Sequence, residues 1–386
     1  MDVKGRLMEK TYEVTNLIKS ALDASIVKLE ENMEYTGDRF LTVTSVNNRY
    51  GLRDNDCCWT QSFYTGMIWL AYEMTGQDKF RQLADKHSQS FKERLDGYVA
   101  VDTHDIGFMY TLSCVADYRL TGSKTAKATA LDAADHLMRR YKEKGEFIQA
   151  WGDINDPSFY RMIIDCYMNL PLLFWAYEVT GQESYREVAV KHAETGRKYL
   201  IREDNSSFHT FYFEPETGQP VKGVTAQGYA DDSCWARGQA WGIYGLALVY
   251  KYTKDESIIE DFIRVTEYYI DHQPEDLVAY WDLYFTEGNE ERDSSAAAIA
   301  ACGLLEMIPY LQDKELAKKY RTFTEGMVES LIKDYTTFDT QGANGLLFHG
   351  VYSKPGNNGV DEMTIWGDYY FMEALVRMSK DWNPYW

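Results

Sequence analysis

The chain of 386 residues is 45% hydrophobic, enough to bury a sizeable core in one large or two ordinary domains. Its formal net charge of −20 argues against a nucleic-acid partner, because phosphate binding needs a basic footprint. No run approaches the ~18 apolar residues of a membrane span, and the opening MDVKGRLMEKTYEV has no apolar stretch of signal-peptide length.

In chain order, an amphipathic helix is predicted near residues 10–32. Helix pairs follow near 59–97, 105–143, 158–200, 235–272 and 293–334, and a last apolar helix near 362–379. An internal repeat supports the pairing. WLAYEMTGQDKFRQLADKH (69–87) aligns without gaps to FWAYEVTGQESYREVAVKH (174–192), with 10 of 19 positions identical, and weaker copies begin at 115, 246 and 304. The first helix of a pair is apolar on most faces and must be buried. The second has one apolar stripe, as at Tyr185, Val188, Ala189, Ala193 and Leu200, and lies outside. The Thr-Gly between them puts a glycine where a left-handed helix cap is common. Six inner and six outer helices close naturally into an all-α (α/α)6 barrel, a single domain over 1–386; an open solenoid is the alternative.

The outer-to-inner connections are long, at 33–58, 144–157, 201–234, 273–292 and 335–361. Long connections in a compact domain tend to build a site, so the functional mouth is expected at the starts of the inner helices. The repeat serves as a ruler. Trp59, Asp105, Asp165 and Arg237 each stand fifteen or sixteen residues before the threonine that closes an inner helix. That length of helix is ~22 Å, which places all four around one mouth.

Two carboxylates facing one cavity suit general acid–base work on a glycosidic group. Asp105, in THDIGFMY, is expected to open its helix, where the dipole favours the ionised form. Asp165, in IIDCYMNLPLLFW, is expected within a helix among apolar neighbours, where desolvation and a second carboxylate raise its pKa. That split makes Asp165 the proton donor and Asp105 the charged partner. The structural alternatives are a helix cap for Asp105 and a buried ion pair for Asp165. Pro171 is expected to relax or bend the same helix.

Arg237 and Trp241, four apart in DDSCWARGQAWGIYGLA, share a helix face. The guanidinium can grip a carboxylate beside a ring that stacks on a sugar, or it can pair with a core acid. Trp151, His209 and Gln227 lie in connecting loops and carry little alone. The loop HGVYSKPGNNGVDE offers Lys354 to charged groups. No GxGxxG, P-loop, HExxH, GxSxG or EF-hand pattern occurs, and the six cysteines show no metal-ligand spacing. A cytoplasmic protein with reduced thiols and no metal is expected.

The blocks THDIGFMY, RMIIDCYMNLPLLFWA, FHTFYFEPETG and QGYADDSCWARGQAWGIYGLALVY, in that order, resemble the unsaturated glucuronyl hydrolases of glycoside hydrolase family 88. The likeness runs from about residue 38 to 379. It implies an (α/α)6 barrel without metal or other cofactor, acting on small oligosaccharides whose non-reducing uronic acid carries a C4=C5 double bond. The implied reaction is hydration of that vinyl ether: Asp165 protonates C4, water adds at C5, and the hemiketal collapses. Asp105 matches the second essential acid. Trp59, Trp151, His209, Gln227, Arg237 and Trp241 match substrate-binding positions, with Arg237 and Gln227 near the uronate carboxylate. The chain departs from the sulfate-binding pattern of some members. Ala226 stands where they carry arginine, and Ser353-Lys354 matches loosely, so no preference for sulfated sugars is implied. A monomer or homodimer is compatible with this reading. The rivals are an unsaturated rhamnogalacturonyl hydrolase acting on pectin fragments, a sugar epimerase, for which His104 and His209 are the histidines at hand, and a helical-repeat binding protein.

Overall fold

The computed structural model describes residues 3–386, with side chains from residue 14 onward. Among the described residues twelve helices alternate between an outer and an inner layer. They are α1 (Val3–Thr36), α2 (Gln61–Thr75), α3 (Asp78–Asp96), α4, α5 (Lys124–Met138), α6 (Pro171–Thr180), α7 (Glu183–Tyr199), α8 (Ala236–Thr253), α9 (Ser257–Asp271), α10 (Ser294–Met307), α11 (Lys314–Ser330) and α12 (Ile365–Ser379). Helix α4 joins Ile106–Tyr110, one π turn at Thr111–Val115 and Ala116–Thr121.

The even-numbered helices are buried along most of their length, and the odd-numbered ones cover them with charged faces outward. Burial follows the pattern of apolar residues: α8 is buried without a break from Ala236 to Tyr250, whereas α7 buries a stripe that includes Tyr185, Val188, Ala189 and Ala193. Around the ring α2 meets α4, α8 meets α10, α10 meets α12, and α12 returns to α2; the turn before α6 bridges α4 and α8. The ring therefore closes, which an open solenoid would not do.

The Thr-Gly turns all lie at one end. Gly76, Gly122 and Gly181 cap inner helices with φ of 66°, 75° and 72°, a conformation that side chains rarely adopt. The threonine has its own task. Thr75 Oγ1 donates to the Ala71 carbonyl at 2.7 Å and accepts from the Gln77 N–H at 3.2 Å. Thr121, Thr180 and Thr253 repeat both bonds.

The opposite end is built from the long connections, which form short antiparallel strands that an all-helical reading does not anticipate. β1 (Phe40–Leu41) pairs with β2 (Leu52–Arg53), and β3 (Tyr141–Lys142) with β4 (Phe147–Ile148). β5 (Arg161–Ile163), β6 (Thr210–Phe213) and β7 (Pro220–Val224) form a three-stranded sheet, and β8 (Gly350–Ser353) pairs with β9 (Asn358–Glu362). Strand β5 corrects one expectation. Residues 158–170 do not begin an α-helix: β5 is followed by a 3-10 segment, Ile164–Asn169, and α-helix starts at Pro171. The β-branched Ile163 pairs with Thr210. Pro171 has no N–H to continue a helix from upstream and takes the first helical position instead, so it starts the helix rather than bending it.

Aromatic side chains fill the barrel axis. Trp241 sits 5.4 Å from both Phe108 and Tyr370, and Tyr370 stacks on Trp386 at 6.0 Å. Among the described residues no helix is long and apolar enough to cross a membrane.

Candidate active site

At the strand-decorated end a cavity of about 530 Å3 opens along the barrel axis. All eight residues singled out in the sequence line it: Trp59, Asp105, Trp151, Asp165, His209, Gln227, Arg237 and Trp241. Trp59 stacks on Trp366 with ring centroids 5.5 Å apart. Trp151 is covered by the Arg161 guanidinium, 4.1 Å from its ring. Trp241 lines the cavity although it is almost wholly covered.

The two acids come from adjacent segments held by a close contact. A Cβ on Gly107 would lie 2.3 Å from the Asn169 Cα, so these backbones can touch only because residue 107 is glycine. Asn169 completes the joint. Its Oδ1 accepts from the Phe108 N–H at 2.9 Å, and its Nδ2 donates to the Asp165 carbonyl at 3.4 Å.

Asp105 occupies the residue before α4, yet its carboxylate caps nothing. Instead Oδ2 accepts from the Thr103 hydroxyl at 2.9 Å. Asp165 lies in the 3-10 turn, not inside an α-helix. Its side chain is 15% exposed, and Oδ1 has no hydrogen-bond partner among the described residues. Burial pushes the Asp165 carboxyl up to about 7; the charge on Asp105 adds to the rise, and His104 opposes it. His104 stands between the acids, with Nε2 3.3 Å from Asp105 Oδ1 and 3.7 Å from Asp165 Oδ1. These three groups crowd to within 4.8 Å of one another, and the two acids raise the pKa of His104, which favours a proton on the ring over a cation.

Across the cavity Arg237 does what the structural alternative describes. Nη1 pairs with Asp293 Oδ2 at 3.0 Å and bonds the Val351 carbonyl, and Nη2 donates to the Tyr352 carbonyl at 2.8 Å. The guanidinium lies 4.4 Å from the Trp235 ring and 4.9 Å from Trp366. Gln227 shares that carbonyl, its Nε2 donating to Tyr352 O at 2.7 Å, while its Oε1 lies 3.1 Å from His209 Nε2. Burial lowers His209 to about 4, so it is neutral. With Nε2 donating to Gln227, His209 Nδ1 accepts from the Thr210 hydroxyl at 2.6 Å. Lys354 does not line the cavity; its ammonium pairs with Glu291. The rim there is Ala226, Ser353, Gly356 and Asn358.

The sequence reading named His104, beside Asp105 in the same block, only as a histidine for the epimerase alternative, and other residues of the site escaped it. Asn169 lies four residues after Asp165. Asp293 opens α10, so the rule that inner-helix starts ring the mouth already points to it. Trp235, Tyr352 and Trp366 carry no comparable signal.

The profile of Glycosyl Hydrolase Family 88 matches residues 27–382. An unsaturated chondroitin disaccharide hydrolase of Streptococcus pneumoniae (strain ATCC BAA-255 / R6) is 48% identical over 98% of this chain and 97% of its own. The crystal structure of an unsaturated glucuronyl hydrolase from Streptococcus agalactiae has a TM-score of 0.94 at 47% identity, covering 96% of this chain and 94% of that one. A substituted form of the S. agalactiae enzyme, complexed with dGlcA-GalNAc6S, has a TM-score of 0.86 at 44% identity, over 96% of this chain and 93% of that one. The matched region is nearly the whole chain, and the chain belongs to glycosyl hydrolase family 88.

Proposed function

We propose that this chain is a hydrolase that removes the 4-deoxy, C4=C5 unsaturated glucuronic acid from the non-reducing end of small oligosaccharides left by polysaccharide lyases. The observation that carries the reading is Asp165: a carboxyl with an unpartnered inner oxygen, its pKa pushed up by burial to about 7, beside a second acid in a sugar-sized, tryptophan-walled cavity. Protonating a carbon needs such a group.

Asp165 gives its proton to C4, and positive charge develops at C5, shared with the ring oxygen. Water adds at C5 and returns a proton to the Asp165 carboxylate. The hemiketal collapses, releasing the shorter saccharide and a deoxy-keto uronate. Asp105, fixed by Thr103, holds ring hydroxyls and keeps a negative charge near the developing cation. Trp59, Trp151 and Trp241 pack on the sugar faces. Gln227 has a second amide N–H beyond the one given to Tyr352, and with Arg237 it orients the uronate carboxylate.

The sugar next to the unsaturated residue is unsulfated in this reading, because Ala226, Ser353, Gly356 and Asn358 bring no cation to the rim. The chain acts as one domain in the cytoplasm, where Cys114, Cys166, Cys234 and Cys302 serve as buried core side chains. Incubation with unsaturated disaccharides from chondroitin or hyaluronan tests the proposal. Loss of the double bond's ultraviolet absorbance is expected. Unchanged absorbance across a panel of lyase products, those from pectin included, contradicts it.

A further inference from the structure

We propose that His104 is a positioning residue that settles which active-site acid holds the proton, giving its Nε2–H to Asp105 at rest and to Asp165 once that acid has donated. The proposal rests on the hydration reading above.

The His104 side chain is 1% exposed. Its backbone is pinned on both sides: the N–H donates to the Ala150 carbonyl at 2.8 Å, and the carbonyl accepts from the Gly107 N–H at 3.1 Å. Among the described residues neither ring nitrogen has a hydrogen-bond partner of ordinary geometry, and neither does Asp165 Oδ1. Buried polar atoms left without partners are rare and call for a reason. Here the unsatisfied atoms converge, with Nε2 3.3 Å from one carboxylate and 3.7 Å from the other.

One N–H cannot point at both oxygens. Asp105 is nearer and already accepts from Thr103, so it is the better place for negative charge. Asp165 is left without a donor on Oδ1, and a desolvated carboxyl without a donor keeps its proton. When that proton goes to C4, Asp165 becomes a buried carboxylate and Nε2–H is the donor beside it. A small tilt of the ring transfers the hydrogen bond. When water adds at C5 and its proton returns to Asp165, the bond reverts to Asp105. His104 gains and loses no proton in the cycle.

The charges around the ring support this. Burial works against an imidazolium at His104 and Arg140 adds to that, but Asp105 and Asp165 more than offset both, so its pKa is raised. Arg140 is itself committed to Asp102 and to the Gln149 and Gly152 carbonyls. His192, on the adjoining helix α7, accepts the Ile148 N–H on Nδ1 and is held neutral by burial, near 3. Arg237 acts on Asp165 from the far wall.

The test is the pH profile of two variants. His104→Phe keeps a buried ring and removes donor and charge. His104→Gln keeps an N–H without the charge. For Phe, kcat falls ~10²-fold or more while KM changes little, a loss of the size seen when proton handling is disturbed. Its alkaline limb also moves to higher pH, because the imidazolium no longer favours ionised Asp165. Gln recovers part of kcat but not the position of the limb. A structural role would lower the folded fraction and leave the limb in place. Near-normal kcat with an unmoved limb in folded His104→Phe overturns the inference. If neither variant folds, 15N spectra of the wild-type ring decide: a protonated Nε2 at neutral pH supports it, and a bare Nε2 overturns it. Wild-type enzyme that leaves the unsaturated sugar untouched overturns the hydration reading and this inference together; active wild type with an unmoved limb in the variants overturns this inference alone.

Discussion

Arg237 is held by Asp293. The guanidinium Nη1 lies 3.0 Å from a carboxylate fully removed from solvent. An arginine so placed serves two ends: it neutralises a buried acid, and it presents a fixed cation to the cavity. Removing one partner of such a pair strands the other and costs ~3–5 kcal/mol. Arg237→Ala is therefore expected to lower the melting temperature and to raise KM for the unsaturated disaccharide by roughly tenfold or more, with a smaller effect on kcat. Melting curves and steady-state kinetics on the same preparation check it. An unaltered KM in folded protein would leave the arginine a purely structural part.

The pH profile of wild type follows from Asp165. Its protonated form donates, and its carboxyl is pushed up to about 7, so kcat is expected to fall as pH rises through that value. Stability has a definite sign too. The folded carboxyl holds its proton more tightly than an unfolded one at about 4. Its stabilising contribution is complete below the unfolded value and is lost as pH rises through about 7. Asp165→Asn removes that loss. It is expected to melt higher than wild type in mildly alkaline buffer, by roughly 1–2 °C per kcal/mol recovered, and to show little gain in acid. A variant less stable at alkaline pH would contradict a buried, unpaired carboxylate.

Gly107→Ala tests how the acids are brought together. The added carbon would meet the Asn169 backbone at 2.3 Å, and a main chain cannot swing aside as a side-chain tip can. The segments must part, moving Asp105 relative to Asp165. A displacement of about 1 Å at such a site can cost ~10²-fold in rate. Activity is expected to drop by that order with the helical circular dichroism retained. Full activity would show that the contact does not set the acid spacing.

The rim predicts selectivity for an unsulfated neighbour. Lys354 is tied to Glu291, and Ala226, Ser353, Gly356 and Asn358 offer no cation. A matched pair of unsaturated disaccharides, with and without sulfate on the second sugar, is expected to show higher kcat/KM for the unsulfated one. The reverse order would require a cation to reach the rim in the complex.

Much of this molecule is legible in its sequence because repetition is a strong signal. Thr-Gly turns mark one end of three inner helices and Thr253 marks the same end of a fourth, and counting back from Thr75, Thr121, Thr180 and Thr253 lands on residues that line one cavity. That count survives the error over residues 158–170, where strand and 3-10 turn stand in for helix. Asp165 reaches the mouth either way, because Pro171 onward supplies the helix below it. The strands were hidden because each is only two to five residues long, and one pairing, Ile163 with Thr210, joins segments far apart in the chain. The dual use of Arg237 was hidden for a related reason: its partner Asp293 lies 56 residues away, on another helix start, and no local spacing couples them. His104 stood in plain view, but a histidine beside an aspartate says nothing of a second aspartate 60 residues on until Gly107 and Asn169 are seen to touch.

The role of Asp165 as the proton donor to C4 is the centre of the account. Its most direct test is the disappearance of double-bond absorbance when wild type and Asp165→Asn act on the same unsaturated disaccharide. The account predicts loss of signal with wild type and a rate lower by at least ~10³-fold with the asparagine variant, whose melting curve shows it folded. Comparable rates from the two proteins would contradict it.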